Sequence, residues 1–90
     1  MSAAKFPLGR LVATPNALEH IPNPDIMTAL LRHLTGDWGD VDEHDREENE
    51  LSLKEGFRLL SVYRSAAGVK FWIITEADRS RTTVLLPEDY

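Results

Sequence analysis

Residues 57–86 read FRLLSVYRSAAGVKFWIITEADRSRTTVLL. Three runs rich in apolar and β-branched residues alternate here with two short polar or small-residue segments, a pattern typical of adjacent β-strands. Gly68 lies in the first connection and can adopt the positive φ that short hairpin loops need. We therefore predict an antiparallel three-stranded meander that ends before Pro87. Its predicted strands are residues 57–64, 69–75 and 81–86.

A helix is predicted directly upstream of this region, over residues 24–35. Asn23 can cap it, Pro24 suits the first helical position, and Gly36 fits the left-handed position after the last turn. Apolar residues follow at helical spacing and predict one stripe that faces the core. The stripe consists of Ile26, Met27, Leu30, Leu31 and Leu34.

The remaining segments complete the predicted order of elements. Residues 8–14 resemble a short strand that should join an edge of the sheet in a direction the sequence does not give, and Thr14-Pro15 predicts one or two helical turns after it. Asp40 or Asp42 can cap a further helix that runs to about residue 55, where only one of Leu51 and Leu53 can point inward. Strand, helices and meander together predict one two-layer α+β domain over residues 1–90.

Negative charge is concentrated just after the predicted helix 24–35. Residues 37–50 hold eight of the fifteen carboxylates of the chain and one arginine, so the net charge of −5 is a local property. Three interpretations remain open: a solvated helix, a surface that binds a basic protein partner, and a metal site, although the calcium-loop pattern is not met. The partner-binding candidates are Asp37, Trp38, Asp40, Asp42, Glu43, Asp45, Glu47 and Glu48.

Three smaller features each allow two interpretations. Trp38 is either a core residue or an interaction anchor. The turn at residues 76–81 is either linked by salt bridges or forms an anion-binding turn through Arg79 and Arg81. His33 lies at a helix end, where the helix dipole favours a cation, and this position explains it without a catalytic role.

Composition excludes several classes of protein. The chain has no cysteine, which rules out disulfides and thiolate chemistry. It has no signal-peptide pattern and no apolar run of membrane-spanning length, so we expect a cytoplasmic protein without membrane contact. The sequence pI of about 5.0 argues against nucleic-acid binding by the surface as a whole, and we expect no direct nucleic-acid partner. We identify no catalytic residue, no metal site and no cofactor, and the oligomeric state is left open.

Several runs of the chain resemble a family of small bacterial proteins described as plasmid-related. They are Asp37-Trp-Gly-Asp40, residues 73–80, residues 82–90 and residues 8–15. This resemblance implies a bacterial, cytoplasmic protein encoded on or near mobile DNA, and it brings no biochemical activity with it.

The predicted order of elements also resembles that of RelE/ParE-type toxins, some of which cleave RNA with basic and aromatic residues on the sheet. That resemblance would assign such a role to Arg58, Tyr63, Arg64, Arg79 and Arg81, but the acidic helix departs from the pattern.

The leading hypothesis is therefore a non-enzymatic binding or regulatory protein whose acidic helix engages a basic partner surface. The alternatives are an RNA-cleaving toxin and a module that binds a small ligand or a metal.

Overall fold

The structure is a computed structural model that describes residues 3–90. It has four strands, three α-helices and one short 3₁₀ turn. In chain order they are β1 (Arg10–Ala13), α1 (Pro15–His20), α2 (Asn23–Leu34), α3 (Glu43–Glu55), β2 (Leu59–Arg64), β3 (Lys70–Thr75), β4 (Arg81–Leu85) and the 3₁₀ turn Pro87–Asp89. The predicted α+β class is confirmed. No helix within residues 3–90 is long and apolar enough to cross a membrane.

The four strands form one mixed sheet in the order β1-β4-β3-β2. The meander β2-β3-β4 is antiparallel, as predicted, and β1 occupies an edge, as predicted. β1 runs parallel to β4, with Val12 opposite Thr83, so the sheet as a whole is not purely antiparallel. A parallel neighbour requires a long crossover, which here consists of all three helices and two antiparallel strands.

The helix ends follow local capping chemistry. The Thr14 hydroxyl accepts a hydrogen bond from the Ala17 N–H (3.0 Å) at the start of α1. Asp42, one of the two predicted caps, accepts from the Asp45 N–H (2.8 Å) and starts α3, and Gly56 ends it with a φ of +80°. The predicted Asn23 cap of α2 is wrong: the cap position is Pro22, which makes no side-chain hydrogen bond.

One side of the sheet packs against the helices in two adjoining clusters. The larger cluster joins α1 and α2 to the sheet residues Tyr63, Phe71, Ile73 and Val84. The smaller cluster contains Phe6, Trp38 and Leu59, with Leu53 of α3 packed against them. Leu53 is thus the inward leucine of α3, whereas Leu51 is 47% exposed.

The predicted apolar stripe of α2 is only partly buried. Ile26 and Leu30 are core residues, but Met27 and Leu31 are 57% and 63% exposed. A helix that packs on a sheet buries one face, and the positions at the margin of that face turn toward solvent.

Candidate functional site

The segment between α2 and α3 is fixed by the free edge of β2. The Val62 N–H donates to the Trp38 carbonyl (3.0 Å), and the Asp40 N–H donates to the Val62 carbonyl (2.7 Å). Gly39 lies between these contacts with a φ of +78°, and a Cβ there would overlap the Val62 carbonyl oxygen. Only glycine meets both requirements. Gly39 forms an isolated parallel bridge with Val62, and the Trp-Gly-Asp run covers this part of the edge.

Asn49 attaches α3 to the same edge. Its side-chain amide donates to the Leu60 carbonyl (2.6 Å) and accepts from the Leu60 N–H (3.1 Å), so it imitates a neighbouring strand. Asn49 is 4% exposed. A buried amide that pairs with both groups of one residue fixes the helix in register along β2, and the opposite side of α3 is left facing solvent.

The first acids of the candidate surface are occupied by cations of the fold. Asp37 accepts from Arg32 Nε (2.7 Å) and Asp40 accepts from Arg64 Nε (3.1 Å). The hydrogen bond from Arg32 lowers the pKa of Asp37 below its usual value. These two carboxylates, together with the capping Asp42, therefore have partners within the fold, and the charge of Asp37 and Asp40 is partly compensated.

Trp38 is a core residue. Its side chain is 3% exposed, stacks against Phe6 with ring centroids 6.4 Å apart, and donates from Nε1 to the Glu50 carboxylate (2.8 Å). Because the indole is enclosed, the alternative of an interaction anchor is wrong for Trp38.

The outward side of α3 carries the acids that remain. Glu43, Glu47, Leu51 and Glu55 follow one another at intervals of four residues, and all are exposed. Residues at this spacing form one row along a helix. We call these four residues the acidic row. Glu48 and Asp45 lie beside it and are also exposed.

Few cations lie near this row. Within residues 3–90, Glu43 contacts Arg46 at 3.5 Å and Glu48 contacts His44 at 3.7 Å, and both pairs lie within α3 on exposed side chains. Such pairs contribute little in water. No arginine or lysine of the sheet is within salt-bridge distance of Glu43, Glu47 or Glu55 in that part of the chain.

In the turn at residues 76–81, Arg79 fits neither predicted interpretation. Arg79 has a φ of +62° and directs its guanidinium at backbone carbonyls, with distances of 2.6 Å to Phe57 and 2.9 Å to Ser52. No salt bridge is found in this turn in the described chain. Arg79 therefore closes the end of α3 and is not free to bind an anion, whereas Arg81 is exposed.

The residues suggested by the toxin resemblance are not assembled. Arg64 is at one end of β2, and the turn with Arg79 and Arg81 adjoins the other end, about 16 Å away at the usual rise per strand residue. Tyr63 points to the opposite side of the sheet from Arg64, is buried, and donates to the Asp37 carbonyl (2.6 Å).

His33 lies in a buried polar chain that the sequence did not suggest. Its Nδ1 is 2.6 Å from Ser61 Oγ and its Nε2 is 2.9 Å from Thr75 Oγ1. Thr75 Oγ1 is 2.7 Å from Thr82 Oγ1, which donates to the Leu8 carbonyl (2.7 Å). Since each hydroxyl has one proton, Thr75 donates to Thr82, and His33 donates from Nε2 and accepts from Ser61.

This row of buried hydrogen bonds makes His33 a neutral structural residue. Burial, together with the charge of Arg79, lowers its pKa to about 4. The interpretation of His33 as a cation at the end of α2 is therefore wrong, because the imidazole turns into the core and not toward the helix terminus.

Sequence reasoning also missed a cavity on the side of the sheet that faces away from the helices. It has a volume of about 310 Å³ and is lined by Arg58, Leu60, Trp72, Ile74 and Tyr90. The alternation of side chains along β2 and β3 indicates two faces, but it does not show which of them the helices cover.

The structure thus defines a two-layer α+β domain with an exposed acidic helix on one edge and an open sheet on the other side. Comparison of the chain with profiles of known protein families, with curated protein sequences and with solved structures found no match.

Proposed function

We propose that the protein is a non-enzymatic binding or regulatory protein of the bacterial cytoplasm, encoded on or near mobile DNA, and that its acidic row engages a basic surface of a protein partner. The genetic setting and location rest on the resemblance of residues 37–40, 73–80 and 82–90 to plasmid-related proteins. The role of α3 rests on its geometry and charge.

One observation carries the proposal. Within residues 3–90, the three glutamates of the acidic row face solvent without a cation from the sheet or from α2, while Asp37 and Asp40 are paired with Arg32 and Arg64. Pairing of those acids leaves the uncompensated charge on one helix surface. A surface of single charge attracts an oppositely charged partner and increases its rate of association.

Leu51 gives the row an apolar centre. It is 47% exposed, and Glu47 and Glu55 lie one turn before and after it. An apolar side chain surrounded by charge is typical of the middle of a small interface, where burial adds affinity and the charged rim adds specificity. The partner we propose therefore has an apolar depression with basic residues around it.

The test compares two pairs of charge-neutralising substitutions. E43Q with E47Q removes two acids from the row, and E19Q with E88Q removes two exposed acids elsewhere. We expect a tagged wild-type protein to retain a bacterial partner at low salt and to lose much of it at high salt, because the attraction is screened. Mass spectrometry of the captured proteins measures this.

E43Q/E47Q should reduce capture, and E19Q/E88Q should leave it unchanged at the same loss of net charge. L51S should reduce capture at both salt concentrations, because the apolar contact is not screened. Equal capture by the wild type and E43Q/E47Q, with circular dichroism spectra alike, would show that the row is only a solvated helix.

A further inference from the structure

The side of the sheet away from the helices carries half of the basic residues of the chain. Strand alternation fixes this placement, because Tyr63, Phe71, Ile73 and Val84 face the helices and their neighbours in the strands must face away. We call this side the open sheet face. Its basic residues are Arg10, Arg58, Arg64, Lys70 and Arg81, of the ten in the sequence.

Four of these cations form two like-charged pairs. Arg64 lies directly opposite Lys70, and Arg10 lies directly opposite Arg81. Like charges at directly opposed sheet positions are destabilising. A bound anion on this face would therefore reduce the repulsion within both pairs.

Carboxylates near the open sheet face neutralise only part of its positive charge. Asp40 pairs with Arg64 at 3.1 Å. Glu76 follows β3 and lies opposite Arg81, and Arg81 lowers the pKa of the nearby Asp78 as a smaller contribution after the hydrogen bonds from Ser80. Within residues 3–90, no carboxylate is within salt-bridge distance of Arg10, Arg58, Lys70 or Arg81.

Aromatic rings occupy the strip between the two cation pairs. Trp72 is partly exposed on the central strand β3, and Tyr90 is 72% exposed with its ring centroid 5.6 Å from that of Trp72. Arg58 donates to the Tyr90 hydroxyl (3.0 Å) and lies over its ring at 5.8 Å. The rings and Arg58 surround the cavity of about 310 Å³, whose floor is Leu60 and Ile74.

From this arrangement we infer that the open sheet face binds a short segment of single-stranded nucleic acid. The bases stack on Trp72 and Tyr90, and the phosphates lie along Arg58, Lys70 and the Arg10–Arg81 pair. Stacking on aromatic side chains beside a basic strip is the usual physical basis of such binding. The strip from Lys70 to Arg81 is about 20 Å long by strand rise, which suits a few nucleotides.

A single strand fits this face better than a duplex. The middle of the strip is apolar and would meet only sugar and phosphate groups of a duplex, whereas the faces of unpaired bases can cover it. The net charge of −5 argues against binding over the whole surface. The net charge does not argue against binding at the open sheet face itself. The strand register concentrates basic residues there, whereas the acidic residues concentrate on α3.

The test uses a short fluorescein-labelled oligothymidylate and the matching duplex, with binding followed by fluorescence anisotropy at several salt concentrations. We expect the single strand to bind more tightly than the duplex, with affinity that falls as salt rises. K70Q should weaken binding and reduce the slope of log affinity against log salt by about 0.7. K54Q removes an exposed lysine on α3 and should leave both quantities unchanged.

Aromatic substitutions test the stacking. Y90L should reduce affinity by about fivefold or more, whereas F57L, which changes an exposed aromatic residue outside the strip, should not. Bound oligonucleotide should quench tryptophan fluorescence in the wild type but not in W72F, since the other tryptophan, Trp38, is buried.

Three results would overturn the inference. They are the absence of an anisotropy change at low salt, an equal loss of affinity in K70Q and K54Q, and binding of a polyglutamate peptide as tight as that of the oligonucleotide. The last result would assign the face to acidic protein segments. The inference does not depend on the proposed role of α3, because none of the substitutions tested here lies in the acidic row.

Discussion

At the scale of single residues, His33 shows how burial changes the role of a side chain. The imidazole contacts the rings of Phe6 and Trp38 edge to face, with ring centroids at 5.2 Å and 5.7 Å, and both of its nitrogens have hydroxyl partners. Protonation would place a charge in the core and would reverse the hydrogen bond with Ser61. The folded protein therefore keeps this residue neutral down to low pH.

This gives a prediction for stability against pH. His33 has a pKa of about 4 in the folded protein and an ordinary value of 6.5, so between these values the unfolded chain binds a proton that the folded chain does not. The free energy of unfolding therefore has its full value above pH 6.5. It decreases as the pH falls toward 4, by up to about 1.4 kcal/mol per pH unit and about 3 kcal/mol in total. Urea denaturation at a series of pH values measures it.

The controls separate this histidine from the others. H33Q should be less stable at neutral pH but should lose the slope between pH 6.5 and 4, while H44Q, which changes an exposed histidine, should keep it. Asp37 has a lowered pKa, so its contribution is lost only below the ordinary value of 3.8 and falls outside this window. A slope that is the same in H33Q and the wild type would contradict the assignment.

At the scale of elements, neighbouring residues of α2 differ in whether they lie in the core or in solvent. Leu30 is 3% exposed in the larger core cluster, whereas the adjacent Leu31 is 63% exposed. L30A should lower the free energy of unfolding by about 2–5 kcal/mol, because it removes buried methyl groups and leaves a cavity. L31A should change it by no more than about 0.5 kcal/mol.

Chemical denaturation of both variants measures this difference between identical substitutions at neighbouring positions. In a small domain the loss in L30A could prevent folding, and an unfolded L30A beside a native-like L31A would agree with the prediction. Similar stabilities of the two variants would mean that the face of α2 against the sheet is wrongly assigned.

Element boundaries are the part of the fold that local chemistry predicted best. The Thr14 and Asp42 caps, the left-handed Gly36 and the hairpin at Gly68 appear where the sequence placed them. Each of these signals acts within a few residues along the chain. The Asn23 cap failed because the helix begins one residue earlier: Pro22 is at the cap position, and its carbonyl accepts from the N–H groups of Asp25 and Ile26.

At the scale of the whole molecule, charge is divided between two surfaces. The acidic row lies on α3, and the cations of the open sheet face lie on β1, β2, β3 and β4 with Arg58 just before β2. If the two surfaces act separately, a substitution in one should not impair the other. E43Q/E47Q should retain oligonucleotide binding, and K70Q should retain capture of the protein partner.

Removal of the two glutamates should slightly tighten oligonucleotide binding, because it lowers the negative field of the molecule. Anisotropy and capture measured on both variants check the separation. Loss of both activities in either variant, with stability unchanged, would mean that one surface serves both ligands.

The candidate sites were less predictable than the fold. The sequence located the acidic segment, but only packing showed that Asp37, Asp40 and Asp42 have partners within the fold. Within residues 3–90, the glutamates of the acidic row contact no cation outside α3. In the same way, the turn with Arg79 offered an anion site by composition, while its guanidinium bonds backbone carbonyls that are remote in the sequence.

The sequence by itself determined which segments are helix and strand, the α+β class and the place of the negative charge, because these depend on side-chain periodicity, capping and composition. Only the tertiary structure decided the parallel direction of β1, the burial of His33 and the pairing of cations on the open sheet face. Those features depend on strand register, and a shift of one residue would turn every side chain of a strand to the other face.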